Sequence, residues 1–150
     1  MSTVGGCFCG AVRYRLAAAP IFVNACHCRD CQKLGGGAFA LNGMVEADRV
    51  EVTAGEASVV QQDGEVRCGA CSVLLWAEHA LFGPAIRFVR LGTLDEGERF
   101  PPDAHFFVRS KHPWVTIPAG LPQFEMLPGE DEPLFSPAQQ ARVDAAMAGS

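Results

Sequence analysis

Positive charge is scarce in this sequence. Its 150 residues hold 12 lysines and arginines against 17 aspartates and glutamates, a formal net charge of −5, and the basic residues are scattered. The electrostatic footprint of a nucleic-acid binder is therefore missing, and so is a polybasic anchor for an anionic membrane surface. No run of 18 apolar residues occurs, so no transmembrane helix is expected. The opening MSTVGGCFCG lacks the basic region and apolar stretch of a secretory leader, and a cytoplasmic protein is expected. A nicotinamide fingerprint and a phosphate loop are also missing, which leaves hydride transfer without support. There is no internal repeat and no low-complexity block.

Hydrophobic residues make up 49% of the chain, and its length suits one domain. At this size roughly 68–70% of the unfolded surface can be buried, so metal would add to a core rather than replace one. Glycine and proline punctuate short segments rich in β-branched and aromatic residues, a pattern of many short strands. Val12, Tyr14 and Leu16 alternate with Arg13 and Arg15, as in a half-buried strand. Residues 21–25, 38–45, 50–53, 58–62, 73–78, 86–91 and 105–109 are further strand candidates. Asp63-Gly64 carries the signature of a tight hairpin. Helical character is confined to residues 136–148, where Ser136 can cap and Pro137 fits the first position.

Cysteine is the residue type that stands out. Seven are present, an odd number that a pure disulfide framework would leave with one unpaired. In a reducing compartment, clustered cysteines point to metal. Thiolates suit zinc, and zinc prefers four ligands in a tetrahedron. By spacing the set divides into Cys7 and Cys9, then Cys26, Cys28 and Cys31, then Cys68 and Cys71. Alternate side chains of a strand share a face, so Cys7 and Cys9 are expected to form one edge of a tetrahedron with Phe8 turned away. Cys68 and Cys71, in CGAC, have the spacing of a zinc-knuckle turn. These two pairs make a four-thiolate structural site. The remaining three cysteines match catalytic zinc, which keeps three protein ligands and an open position.

Other pairings can be written from spacing alone. The cysteines could form disulfides, or the three-cysteine cluster could be closed by His27, Asp30 or a distant histidine. Strand alternation disfavours His27, which is expected to be partly exposed or hydrogen-bonded. Asp30 is expected to be a solvated turn residue. Arg29 and Lys33 serve solubility or meet substrate carboxylates. Phe39, Trp76, Phe106 and Trp114 are expected in the core or a pocket wall. Arg87, Arg90 and Arg109 are expected at solvent-facing strand positions.

The segments GGCFCGAVRY, CHCRDCQKLGGGAF and VRCGACSVLL, in that order, resemble the glutathione-dependent formaldehyde-activating enzyme family, which also includes centromere protein V. HFFVRSKHPWVTIPAGLPQFE is similar to the family's closing segment, so the likeness runs over residues 4–126. It implies a mainly β fold of compact antiparallel sheets clipped by zinc, a β-tent, here with a short C-terminal helix. Residues 1–127 would be the zinc-binding β domain, and 128–150 an acidic loop with that helix or a mobile tail. By the family pattern Cys7, Cys9, Cys68 and Cys71 match structural zinc ligands. Cys26, Cys28 and Cys31 match the ligands of a second, catalytic zinc, giving two ions per chain.

The implied activity is of carbon–sulfur lyase type, adding glutathione to formaldehyde to give S-hydroxymethylglutathione, or the reverse. Its partners would be a small thiol and a small aldehyde, with no nucleic acid and no membrane. Three thiolates on a divalent cation leave a net negative charge, which favours activation of a bound thiol over polarisation of the carbonyl. The resemblance also places His112 near the pocket. One departure is Ser72, where the family often has glycine after the CxxC pair; turn freedom changes but no ligand is lost. A non-catalytic zinc-binding module and a thiol/zinc redox sensor are the competing functions.

Overall fold

A computed structural model describes residues 3–149. In chain order its strands are β1 (Thr3–Gly6), β2 (Arg13–Leu16), β3 (Phe22–Cys26), β4 (Ala40–Glu46), β5 (Val50–Ala54), β6 (Val59–Gln62), β7 (Glu65–Cys68), β8 (Leu74–His79), β9 (Gly83–Arg90) and β10 (Ala104–Phe106). The helices are α1 (Arg29–Gly35) and α2 (Pro137–Ala148). Strands β1, β2 and β5 form a three-stranded sheet, and the other seven form a second sheet in the order β10-β3-β4-β9-β8-β7-β6.

Side-chain alternation sets which faces meet. In β2 Tyr14 and Leu16 are buried, while Arg13 and Arg15 reach out to Asp95 and Glu51. Tyr14 meets Trp76 of the larger sheet edge-on at 5.4 Å, and its hydroxyl lies 2.6 Å from the Thr93 hydroxyl. Leu16, Val45, Leu75, Val89 and Leu91 complete this core between the sheets. Gly5 is needed there: a Cβ at that position would sit 2.5 Å from the Thr93 carbonyl oxygen and 2.9 Å from the Tyr14 ring. The Asp63-Gly64 turn joins β6 to β7 with φ of 53° and 78°, both left-handed as a type I′ hairpin requires.

Three elements differ from what the sequence leads one to expect. Strand β1 is built on Thr-Val-Gly-Gly, whose glycines carry little strand propensity; pairing with β2 and the close approach to Tyr14 supply the reason. Helix α1 has no apolar periodicity because its buried residues are Cys31 and Gln32. Its ends are nevertheless specified. Cys28 caps the start through its Sγ, which accepts the Cys31 N–H at 3.3 Å, and Gly36 closes it at φ 67°. Strand β10 pairs with β3 in parallel, while the other strand pairs of the described residues are antiparallel, and it stops at Phe106 because Phe107 turns to φ 55°.

Helix α2 starts at the Ser136 capping box, with Gln139 closing the reciprocal bond. It docks through buried Val143 and through Arg142, whose guanidinium donates to both oxygens of Glu46 at 2.7 Å. Burial would raise the Glu46 carboxyl, but the Arg142 hydrogen bonds outweigh it and hold the group below its ordinary value. A carboxyl lowered by folding contributes stability above its unfolded pKa and loses it as pH falls through the folded value. Arg142→Ala should therefore speed amide exchange in α2 about tenfold or more at neutral pH. That difference from wild type should fade below about pH 4, checked by hydrogen–deuterium exchange against pH.

Candidate metal centres

The first cysteine group forms where two turns meet. Strand β1 ends at Gly6, so Cys7 and Cys9 sit on a tight loop and not on one strand face. The Val12 N–H donates to Cys7 Sγ at 3.3 Å, and the Cys7 N–H donates to the Val12 carbonyl at 3.1 Å. Phe8, between the two thiols, is 90% exposed. From the other side Cys68 closes β7, its Sγ accepting the Ala70 N–H at 3.4 Å and its carbonyl the Ser72 N–H at 2.8 Å. Ser72 has φ 65°, a left-handed conformation that explains why glycine suits this position.

All four Sγ atoms of Cys7, Cys9, Cys68 and Cys71 lie within 4.8 Å of one another. Cys7–Cys9 and Cys9–Cys68 are 3.6 and 3.8 Å apart. Thiolates about 2.3 Å from a tetrahedral zinc would be separated by about 3.8 Å. Backbone amides of Val73 and Cys9 pull the Cys71 thiol down to about 6. Cys9 is pushed up to about 11: the Ala11 amide favours its thiolate, but Cys7, burial and the other thiols outweigh it. Crowded thiols resist ionising together, and a divalent cation among them removes that conflict. The donor set therefore fits a metal ion.

The second group forms at a strand-to-helix junction. Cys26 ends β3, Cys28 is the cap of α1, and Cys31 lies in its first turn. The three Sγ atoms are within 4.8 Å of one another, with Cys26 and Cys28 3.4 Å apart. Bonding with Cys26, and then the nearby Arg90 charge, pull the Cys31 thiol down to about 6, while sharing with Cys31 and burial drive Cys26 far upward. Among the described residues no fourth cysteine, histidine or carboxylate joins this group. This donor set also fits a soft cation, with one position left over.

The candidates for that position lie elsewhere. Asp30 is exposed. His27 is fully buried against Phe39, and its Nε2 lies 2.8 Å from Nδ1 of His105. Burial first, then the charges of His105, Lys111 and His112, lower His27 to about 4, so this imidazole is neutral near pH 7. His27 Nδ1 and His105 Nε2 are both buried without a partner. Gln32 braces the junction by donating to the carbonyls of His27 and Ser110 at 2.8 and 3.0 Å.

A cavity of about 520 Å³ is lined by Cys71 of the first group and reaches the second through Ala40 and Arg90, with none of Cys26, Cys28 and Cys31 among its lining residues. Cys71, Ser72 and Leu74 line it from one side and Leu34, Phe39 and Ala40 from the other. Ala40 also packs on Cys26 and Cys31. Arg90 lines the same cavity, with Nη1 3.9 Å from Cys31 Sγ. It is half-buried and not solvent-facing, because β9 ends at the cavity wall. Sequence alternation missed it; the signal available was only its place at a strand end. Arg87 is likewise half-buried, lying over the Trp76 ring. A second groove takes Arg29, Lys33, His112 and Trp114. Trp114 is 72% exposed and stacks on His112 at 5.0 Å, so it belongs to this surface and not to the core.

A family model described as "Glutathione-dependent formaldehyde-activating enzyme" matches residues 2–110, a span that holds all seven cysteines and Arg90. A Halomonas elongata protein named "Putative glutathione-dependent formaldehyde-activating enzyme" is 31% identical over 125 residues, covering 75% of this chain and 79% of that protein. A crystal structure of a Rhodobacter sphaeroides protein superposes with a TM-score of 0.49 at 20% identity, covering 61% of this chain and 87% of that one.

Proposed function

Because this chain belongs to the glutathione-dependent formaldehyde-activating enzyme family, we propose that it joins a small thiol such as glutathione to a small aldehyde such as formaldehyde, or runs the reverse carbon–sulfur lyase reaction. The observation that carries this reading is the unequal filling of the two cysteine groups. One has four thiols and is complete; the other has three thiols and lacks a fourth donor among the described residues. We assign Cys7, Cys9, Cys68 and Cys71 to a structural zinc, and Cys26, Cys28 and Cys31 to a catalytic one. When bound by these three residues, zinc supplies a position at which a substrate thiol is held as thiolate at neutral pH.

The chain's own residues do the remaining work. Cys28 fixes the start of α1 and so holds Cys31 at hydrogen-bond distance. Arg90 sets a guanidinium at the cavity wall, with Nη1 3.9 Å from Cys31 Sγ. His27, turned to His105 and Phe39, lies outside the thiol cluster and leaves the fourth position to the substrate. In the addition, the substrate sulfur forms a bond to the carbonyl carbon, and the carbonyl π pair passes to oxygen. That oxygen ends with the proton the thiol gave up. The reverse reaction breaks the same carbon–sulfur bond and returns that proton to sulfur.

The test is magnetisation-exchange NMR of formaldehyde, glutathione and S-hydroxymethylglutathione at equilibrium. Catalytic amounts of zinc-loaded protein should raise the exchange rate well above the spontaneous one. Exchange at the spontaneous rate would remove this chemistry from the chain and leave a metal-binding family member with another role.

A further inference from the structure

The arginines of this protein are mostly paired. Arg13, Arg15, Arg67, Arg99 and Arg142 each meet a carboxylate, and Arg87 lies over Trp76 and donates to the Val50 carbonyl. Arg29, Arg49 and Arg109 meet no aspartate or glutamate among the described residues either, but they are exposed, whereas Arg90 meets none although it is half-buried. Its Nη1 reaches one sulfur, Cys31 Sγ, and its Nε is buried with no hydrogen-bond partner. A guanidinium carries five N–H donors in a planar fork, and one long contact to sulfur leaves most of them without an acceptor.

The space beside this fork fits a particular ligand. Arg90 lines the 520 Å³ cavity together with the apolar side chains of Leu34, Phe39, Leu41 and Leu74; no aspartate or glutamate lines it, and Cys71, assigned above to the structural zinc, is the other ionisable lining residue. An apolar cleft with a single unpaired cation favours an anion on a short hydrocarbon chain. A carboxylate matches the guanidinium fork in shape as well as charge.

We propose that Arg90 is a specificity-determining anion anchor: it binds a carboxylate of the thiol substrate, so that the site selects carboxylate-bearing thiols over neutral thiols of the same size. This rests on the assignment of Cys26, Cys28 and Cys31 to the substrate sulfur. The rival role for Arg90 is to balance the charge of the cysteine group alone, and the two differ in what a ligand's carboxylate contributes.

The experiment is calorimetric titration of the zinc-loaded, full-length protein with 3-mercaptopropionate and with its neutral isostere 3-mercaptopropionamide. Wild type should bind the acid at least about tenfold more tightly, the weight of one charge-assisted fork. In Arg90→Gln the acid should fall to the affinity of the amide, with the amide's affinity and the bound zinc unchanged. Equal binding of the two ligands by wild type would overturn the proposal without any variant. So would an Arg90→Gln protein that weakens both ligands alike or loses zinc, since that is the charge-balancing result. Equal binding together with accelerated formaldehyde exchange sinks the anchor and keeps the function. A preference for the acid without exchange keeps the anchor and sinks the aldehyde chemistry. If neither thiol binds, the sulfur assignment fails and the anchor fails with it.

Discussion

Cys68→Ser should cost the protein its fold. Cys68 is 1% exposed and packs in the core beside Val66, Leu75 and Trp76. Its group fastens the loop after β1, in the three-stranded sheet, to the end of β7, in the seven-stranded one. A zinc held there ties the two sheets together across about 60 residues of chain, which would otherwise rest on core packing and on hydrogen bonds such as that of Arg87 to the Val50 carbonyl. Structural zinc in finger peptides contributes roughly 10–16 kcal/mol at neutral pH, while a whole domain is stable by about 5–15 kcal/mol. Even a third of the metal's contribution is comparable to everything else. We expect the variant to lose zinc and to melt at least about 10 °C lower, or without a cooperative transition. A melting temperature within a few degrees of wild type would show that this group does not hold the sheets.

Cys28→Ser should do the opposite, abolishing turnover and sparing the fold. Serine is a good choice because Cys28 has a second duty as the cap of α1, accepting the Cys31 N–H. A serine hydroxyl keeps that bond, as serine is among the best N-cap residues, so the variant removes the ligand and little else. The three-cysteine group lies at one strand-to-helix junction and bridges no distant elements. We expect one zinc fewer, a melting temperature within about 5 °C of wild type, and a catalysed exchange rate lower by at least about a hundredfold. Retained acceleration would mean that the chemistry takes place elsewhere. A melt as severe as that of Cys68→Ser would merge the two groups into one structural unit.

These contrasts were partly legible in the sequence, and the reason is locality. Cys26, Cys28 and Cys31 lie close in the chain, so spacing alone groups them. The Asp63-Gly64 hairpin, the alternation of β2 and the capped start of α2 are likewise short-range signals. The pairing of Cys7 and Cys9 with Cys68 and Cys71 followed by completing a tetrahedron, although the geometry that achieves it is two turns and not a strand face. What stayed hidden depends on distant contacts. The parallel partner of β3 comes about 80 residues later, and so does the imidazole that meets His27. Helix α1 was concealed because its buried face is a cysteine and a glutamine. Arg90 looked like another outward strand arginine until the end of β9 was seen to form the cavity wall. Ser72 is the instructive intermediate: its left-handed φ is a demand that glycine meets most easily, visible in sequence only as a departure from the glycine often found there in the family it resembles.

The division of seven cysteines into four that hold the fold and three that hold the reacting sulfur is the centre of this account. Native mass spectrometry of purified wild type, Cys28→Ser and Cys68→Ser tests it most directly, by counting zinc on folded, low-charge ions. The account predicts two zinc ions on wild type, one on a still-folded Cys28→Ser, and a shift of Cys68→Ser to the high charge states of an unfolded chain. One zinc on wild type, or the same metal loss and unfolding in both variants, would contradict it.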